Sequence, residues 1–363
     1  MNPITASAPL LPRPLGLVTA LLLAAAPAQA LTLHEQSQFQ AALGGMAEVQ
    51  IENSRGTTSV EPSADGALHL VATKIVRGNN QGELSRLARQ TEVEARRSGD
   101  RYLVLVRYPM GGEIHISLFD IFHGHEMPSV EVKLDVQVPA GRAVTVRSTS
   151  GDLQARGLAG RVSLQSTSGD LRIEDLRGPL RLATTSGDVH ATALASAVLR
   201  STSGDITVDG VRGPLDVHTT SGVLRLRGVT DSVTVSSISG DVSVDGTPAT
   251  FAASSSSGDI LVTGLVRGAV HVATTSGDIH LPLGPGMPGA SITSSSGDVE
   301  LRLDRALGAR FDISTVSGAI DANLGLQVQD ATRHVLRGTY GSGRAPIELR
   351  TTSGDIRLVS SGG

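Results

Sequence analysis

The chain has 363 residues, of which 39% are hydrophobic and only 2% aromatic, with neither Trp nor Cys. So much apolar surface excludes a disordered chain, and the missing Cys excludes a disulfide scaffold. The formal net charge is −4, with Lys74 and Lys133 the only lysines, so there is no basic field for nucleic acid and few rings on which bases could stack.

Residues 1–30 read as a secretory leader. Arg13 supplies the positive start, Leu15 to Ala26 the apolar stretch, and Ala28-Gln29-Ala30 the cleavage site. The stretch is too short to span a membrane. The mature chain has no other apolar run long enough to do so, and no Cys for a lipid anchor. The expected setting is therefore export, to the periplasm, the cell surface or the medium.

Residues 31–50 begin with Leu31-Thr32-Leu33 and a short polar run, read as an entry strand or cap. Val49 to Asn53, followed by Gly56, reads as a degenerate first coil. Longer alternating strands are predicted over 67–75, 91–95, 101–107 and 130–138, with 81–90 as a turn of helix or a loop. Residues 111–128 break the pattern. The expected division is a leader over 1–30, a cap with irregular early coils over 31–140, regular coils over 141–318, and closing coils and cap over 319–363.

From residue 148 onward, Ser-Gly-Asp or a close variant recurs. Its members are Gly151-Asp152, Gly169-Asp170, Gly187-Asp188, Gly204-Asp205, Gly240-Asp241, Gly258-Asp259, Gly277-Asp278, Gly297-Asp298 and Gly354-Asp355. Gly222-Val223 and Gly318-Ala319 are variants without the Asp. The glycines are 17 to 21 residues apart, with a last step of 36 that reads as two coils. Such a period marks a solenoid. Counting from each glycine, apolar residues fall at −7, −5, +2, +4 and +7, as in Val162, Leu164, Leu171, Ile173 and Leu176 around Gly169. Spacing of two means strands with one inward face. The odd step from −5 to +2 means a corner at the glycine, where positive φ suits Gly and where Asp can hold the turn through its own nearby backbone. A second corner is expected after +7, where Gly178-Pro179 and Gly213-Pro214 stand. Identical patterns favour stacking like on like. The predicted fold is all-β, a single-stranded parallel β-helix with coils of about 18 residues, its handedness open.

The ordered set resembles the putative-adhesin family, domain of unknown function 4097, over about residues 45–360. The matching features are Val49-Gln50-Ile51 with Gly56, the run Val132 to Gly141 leading into Val144-Thr145-Val146, and the serial corners. The closing run Leu336 to Gly343, then Ile347 to Arg350 and Ser353 to Ile356, matches as well. The resemblance implies an exported bacterial β-helix and brings no catalytic residues.

Three chemistries merit weighing. Stacked carboxylates would lie about 5 Å apart and repel unless bonded to N–H groups or to cations; Val223 and Ala319 interrupt the row, which suits turn-holding better. The outward Thr row at −2 lacks the paired rank of an ice-binding face. Asp120, His123, His125 and Glu126 form the one dense group of metal-ligand types, and a polar loop accounts for them as well; no metal and no cofactor is expected. The reading is a non-enzymatic, adhesin-like or envelope module touching a glycan, an envelope polymer or a protein through its outer faces. The alternatives are a carbohydrate-active lyase or hydrolase, or a cation-binding solenoid.

Overall fold

The computed structural model describes residues 21–22, 31–78, 80–109 and 128–361. The leader, apart from Leu21–Leu22, and the group Asp120, His123, His125 and Glu126 lie outside the described residues. The chain divides into two compact units, residues 1–142 and 143–363.

In the first unit, Leu31–Ala41 runs antiparallel to Leu68–Gly78, which runs antiparallel to Ser129–Val138. Leu31-Thr32-Leu33 and the polar run that follows, expected as an entry strand or cap, form one eleven-residue strand. Its polar residues alternate with half-buried ones, because one face looks outward. Gln81–Gln90 is a helix, capped by Asn80, whose side chain accepts from the Glu83 N–H at 2.8 Å. Leu84 and Ala88 of this helix bury against Val76 and Val130. Spacing of four puts both on one face, which explains why a segment that reads as polar still folds as a helix.

A corner at Gly56 separates Glu48–Arg55 from Thr58–Pro62. Gly56 has φ +93°, and a Cβ there would stand 2.5 Å from the Val132 carbonyl oxygen. The side-chain amide of Asn53 closes this corner from inside. It donates to the Val132 carbonyl at 2.8 Å and to Thr58 Oγ1 at 3.2 Å, and its own oxygen accepts from the Tyr108 hydroxyl at 2.7 Å. The Arg55 carbonyl stands beside the same hydroxyl and shares its single proton. Burial holds the Tyr108 hydroxyl protonated, well above the ordinary phenol range. Asn53→Ala should cost about 1–3 kcal/mol, since it orphans several buried partners at once; urea unfolding followed by circular dichroism measures it.

The second unit is a β-solenoid of stacked layers, each a strand, a Gly corner and a second strand. Neighbouring layers pair in parallel and in register: Leu164 with Leu182, Leu182 with Leu199, Leu199 with Val217, and Val217 with Val235. On the other strand Ile173, Ala191, Val208, Leu226 and Val244 form a matching row. These residues are at most 1% exposed, so the narrow core is built of aliphatic ladders. At −3 a row of hydroxyls is buried with them, and Ser166, Thr184, Ser201 and Thr219 each donate to the carbonyl two residues on.

In five layers a bend at +6 precedes the corner expected after +7: Gly157, Asp175, Ala193, Gly210 and Gly228 all take left-handed φ of 51–76°, while the strand Ile206–Val211 still ends at +7, before Gly213-Pro214. The residue at +7 stays inside, as Leu176 and Leu194 do, because the bend must come before it to turn it inward. The interval of 36 residues is not two coils in series. Ala345–Ser353 pairs on one side with Ala290–Ser296 and on the other with Ala309–Ser317. Ile356–Ser360 likewise sits between Val299–Leu303 and Ile320–Asn323. The layer of Gly354, expected to close the stack, is therefore an interior layer, and the layer of Gly318 lies outside it. Beyond that, Val335–Tyr340 covers the edge of Ala309–Ser317 antiparallel, and Gln327–Ala331 pairs with it in turn. Antiparallel strands end the stack because a further parallel layer would leave the same edge open again.

Candidate functional corner array

Most corners carry Thr or Ser, then Ser, and Asp beyond the glycine. Ser at −1 occurs in every layer, from Ser150 and Ser168 through Ser353 and Ser317. Thr or Ser precedes it in most layers, with Ile238 and Val316 as exceptions. Asp follows the glycine wherever Val223 or Ala319 does not. Parity places −2 outward, and Thr149, Thr167, Thr185, Thr202 and Thr220 are all exposed.

The glycines are needed for two reasons. Gly169, Gly187, Gly204 and Gly222 have φ between 114° and 125°, and Gly240, Gly258, Gly277, Gly297 and Gly354 between 137° and 150°. A Cβ on Gly187 would also lie 2.2 Å from the carbonyl oxygen of Gly169 in the layer below. The glycines thus form a close-packed backbone column.

The aspartates hold layer to layer. The expectation that each Asp bonds its own turn is corrected. Asp152 Oδ1 accepts from the Asp170 N–H at 3.1 Å, Asp170 from Asp188 at 3.0 Å, Asp188 from Asp205 at 2.9 Å, and Asp205 from Val223 at 2.9 Å. The second run goes from Asp241 through Asp259, Asp278 and Asp298 to Asp355, whose Oδ1 accepts from the Ala319 N–H at 2.8 Å. The physical reason is the direction of that N–H. The corner turns it along the stack, towards the preceding layer's carboxylate. One oxygen per Asp bonded to an N–H answers the repulsion that stacked carboxylates would otherwise suffer. Sequence reasoning missed this partner because it lies 17 to 20 residues away in most of these bonds, 57 for the Asp355 N–H and 36 for the Ala319 N–H.

The Val223 N–H holds the Asp205 carboxyl below its ordinary range, with Arg225, 3.2 Å away, adding to the shift. A depressed folded pKa contributes stability above the unfolded value that is lost as pH falls through the folded one. The bond from the Val223 N–H to Asp205 should therefore weaken below about pH 4, the ordinary Asp range. Asp259→Ala should cost about 1 kcal/mol by losing the bond to the Asp278 N–H, while Asp259→Asn keeps an acceptor and should cost less; urea midpoints of the two variants at neutral pH decide it.

Among the described residues no three or more His, Asp or Glu are grouped to hold a metal ion. The scattered histidines do not converge: His190, His218, His271 and His280 stand on outward columns.

A model of the Toastrack family, domain of unknown function 4097, matches residues 47–231 and again 227–359. The chain belongs to this family. The two matches of the Toastrack model together span both units of the fold. Solved structures similar to this Toastrack chain include a putative cell adhesion protein from Clostridium sporogenes, 10% identical, covering 90% of this chain and 100% of that one at TM-score 0.21. A putative lipid binding protein from Parabacteroides distasonis is 12% identical, covering 89% and 96% at TM-score 0.30. A putative adhesin from Bacteroides fragilis is 9% identical, covering 89% and 97% at TM-score 0.28. No curated protein matches.

Proposed function

We propose that this Toastrack chain is a non-enzymatic interaction module, exported by a leader over residues 1–30, that lays its corner array along a repetitive, hydroxyl-rich polymer such as an envelope glycan. One observation carries the reading: Thr, Ser and Asp recur on consecutive layers with the layer spacing, about 4.8 Å. Hydroxyls both donate and accept, and the carboxylate oxygens not bonded along the stack accept. An array of weak contacts at fixed spacing gains strength by multivalency, provided the ligand also repeats. Among the described residues, no helix is long and apolar enough to cross a membrane.

The test is retention of the chain on immobilised envelope polysaccharides, with Thr185→Lys, Thr202→Lys and Thr220→Lys combined. The three positions are exposed, so folding should be unchanged while retention falls. Undiminished retention would discard the array as the contact surface. Cleavage of the polysaccharide by the wild-type chain would discard the non-enzymatic reading.

A further inference from the structure

Among the described layers of the second unit, that of Gly354 has a topology of its own. It is flanked on both sides by layers made earlier in the chain, yet a single short turn ties it to the preceding element. Val335–Tyr340 and Ala345–Ser353 lie on opposite edges of the same strand, Ala309–Ser317. Residues 341–344 must therefore straddle the start of that strand, a crossing of two strand spacings, about 9.6 Å. The crossing is tight. Gly341 and Gly343 take φ of +57° and +65°. A Cβ on Gly308 would meet Ser342 Oγ at 1.9 Å, and one on Gly341 would meet the Leu307 carbonyl at 2.9 Å. Straightened, the four residues reach roughly 13 Å, enough to carry the layer away from its own slot.

The slot is selective for this segment. Ile347 sits between Ala290 and Phe311, and Leu349 between Ile292 and Ile313. Ile356 sits between Val299 and Ile320. One outward column reads His280, Glu300, Arg357, Asp321 in stack order, so Arg357 has a carboxylate on either side. The Asp355 N–H donates to Asp298 Oδ1, and Asp355 Oδ1 accepts from the Ala319 N–H, both at 2.8 Å. All these contacts are the same whether the segment comes from its own chain or from another copy.

We propose that residues 345–360 exchange between two copies of this chain about the turn 341–344, giving a swapped dimer in which each copy fills the other's slot. A short, tight hinge joining a complete element invites such exchange, because opening relieves the turn and costs no native contact once the exchange closes.

The chain has no Cys, so introduced thiols report origin without background. Ser291 and Glu348 are register partners on neighbouring strands, near enough for a disulfide. The double variant Ser291→Cys, Glu348→Cys would be passed through partial denaturation at high protein concentration and separated by size. Its monomer and dimer fractions would then be oxidised and run on a non-reducing gel. The expected result is an intramolecular link in the monomer and an intermolecular one in the dimer. Inserting glycine and serine residues between Gly341 and Ser342 should abolish the dimer. Absence of any dimer, or a dimer whose links are intramolecular, would overturn the proposal. If that pair disturbs folding, Arg302→Cys with Val359→Cys, register partners on the other strand of the layer, reads the same question.

Discussion

Gly187→Ala should lower the stability of the solenoid by about 3–5 kcal/mol, among the largest effects of any single-atom-group change. Two costs add. At φ +125° an L-residue has almost no allowed conformation. The new methyl also meets the Gly169 carbonyl oxygen, which belongs to backbone and cannot rotate away. The layers would have to separate at the corner, stretching the Asp170-to-Asp188 bond beside it. Gly325→Ala is the control: no heavy atom lies within 4 Å of its added Cβ, so the change should stay within about 0.5 kcal/mol. Urea titrations with equal slopes and different midpoints would give the difference directly. Equal midpoints for the two variants would refute the close-packed glycine column.

Leu349→Ala should cost about 3 kcal/mol, as for a buried Leu whose cavity cannot collapse. Leu349 is fully buried, with aliphatic neighbours on both sides. Val328 is nearer the middle of the chain yet 55% exposed on the outermost strand, and Val328→Ala should be nearly silent. Under the simplest reading of the repeat, with layers stacked in the order of the sequence, Leu349 would lie at the end of the solenoid and tolerate truncation better. A loss at Leu349 as small as that at Val328 would therefore remove the interior placement of its layer. Both variants need only thermal and urea unfolding with a spectroscopic probe.

The solenoid was legible because its signal repeats. Spacing of two around each glycine gives strands, and the odd step across the corner gives the change of face. The buried columns Val162, Leu164, Leu171 and Ile173 follow from that arithmetic alone. What stayed hidden was whatever joins one layer to the next. The acceptor for the Asp188 N–H is Asp170, and no local rule about turns points 18 residues back. The bend at +6 was hidden by composition, since Asp175 and Ala193 occupy left-handed positions there as Gly157 and Gly210 do. The order of the last layers was hidden for a different reason. Pattern fixes which residues face inward, while stacking order depends on which edge is free when a segment arrives. The Ser-Gly-Asp at 353–355 has the same pattern as the rest, so nothing in it distinguishes an interior layer from a terminal one. Of the corner array, the residue types were readable; the assignment of Oδ1 to the next layer required coordinates.

The displaced layer has a consequence for the order in which the chain folds as it emerges. Most layers of the solenoid can dock on a predecessor already in place, so structure can grow behind the advancing chain. Residues 309–323 cannot, because the floor on which they rest is residues 345–360. They and the antiparallel cap must wait, unpaired on that side, until the later segment slides in beneath them. The final ordering event is thus an insertion, not an addition. Agents that sequester exposed strand edges should act in that interval and lose their purchase once the insertion is complete.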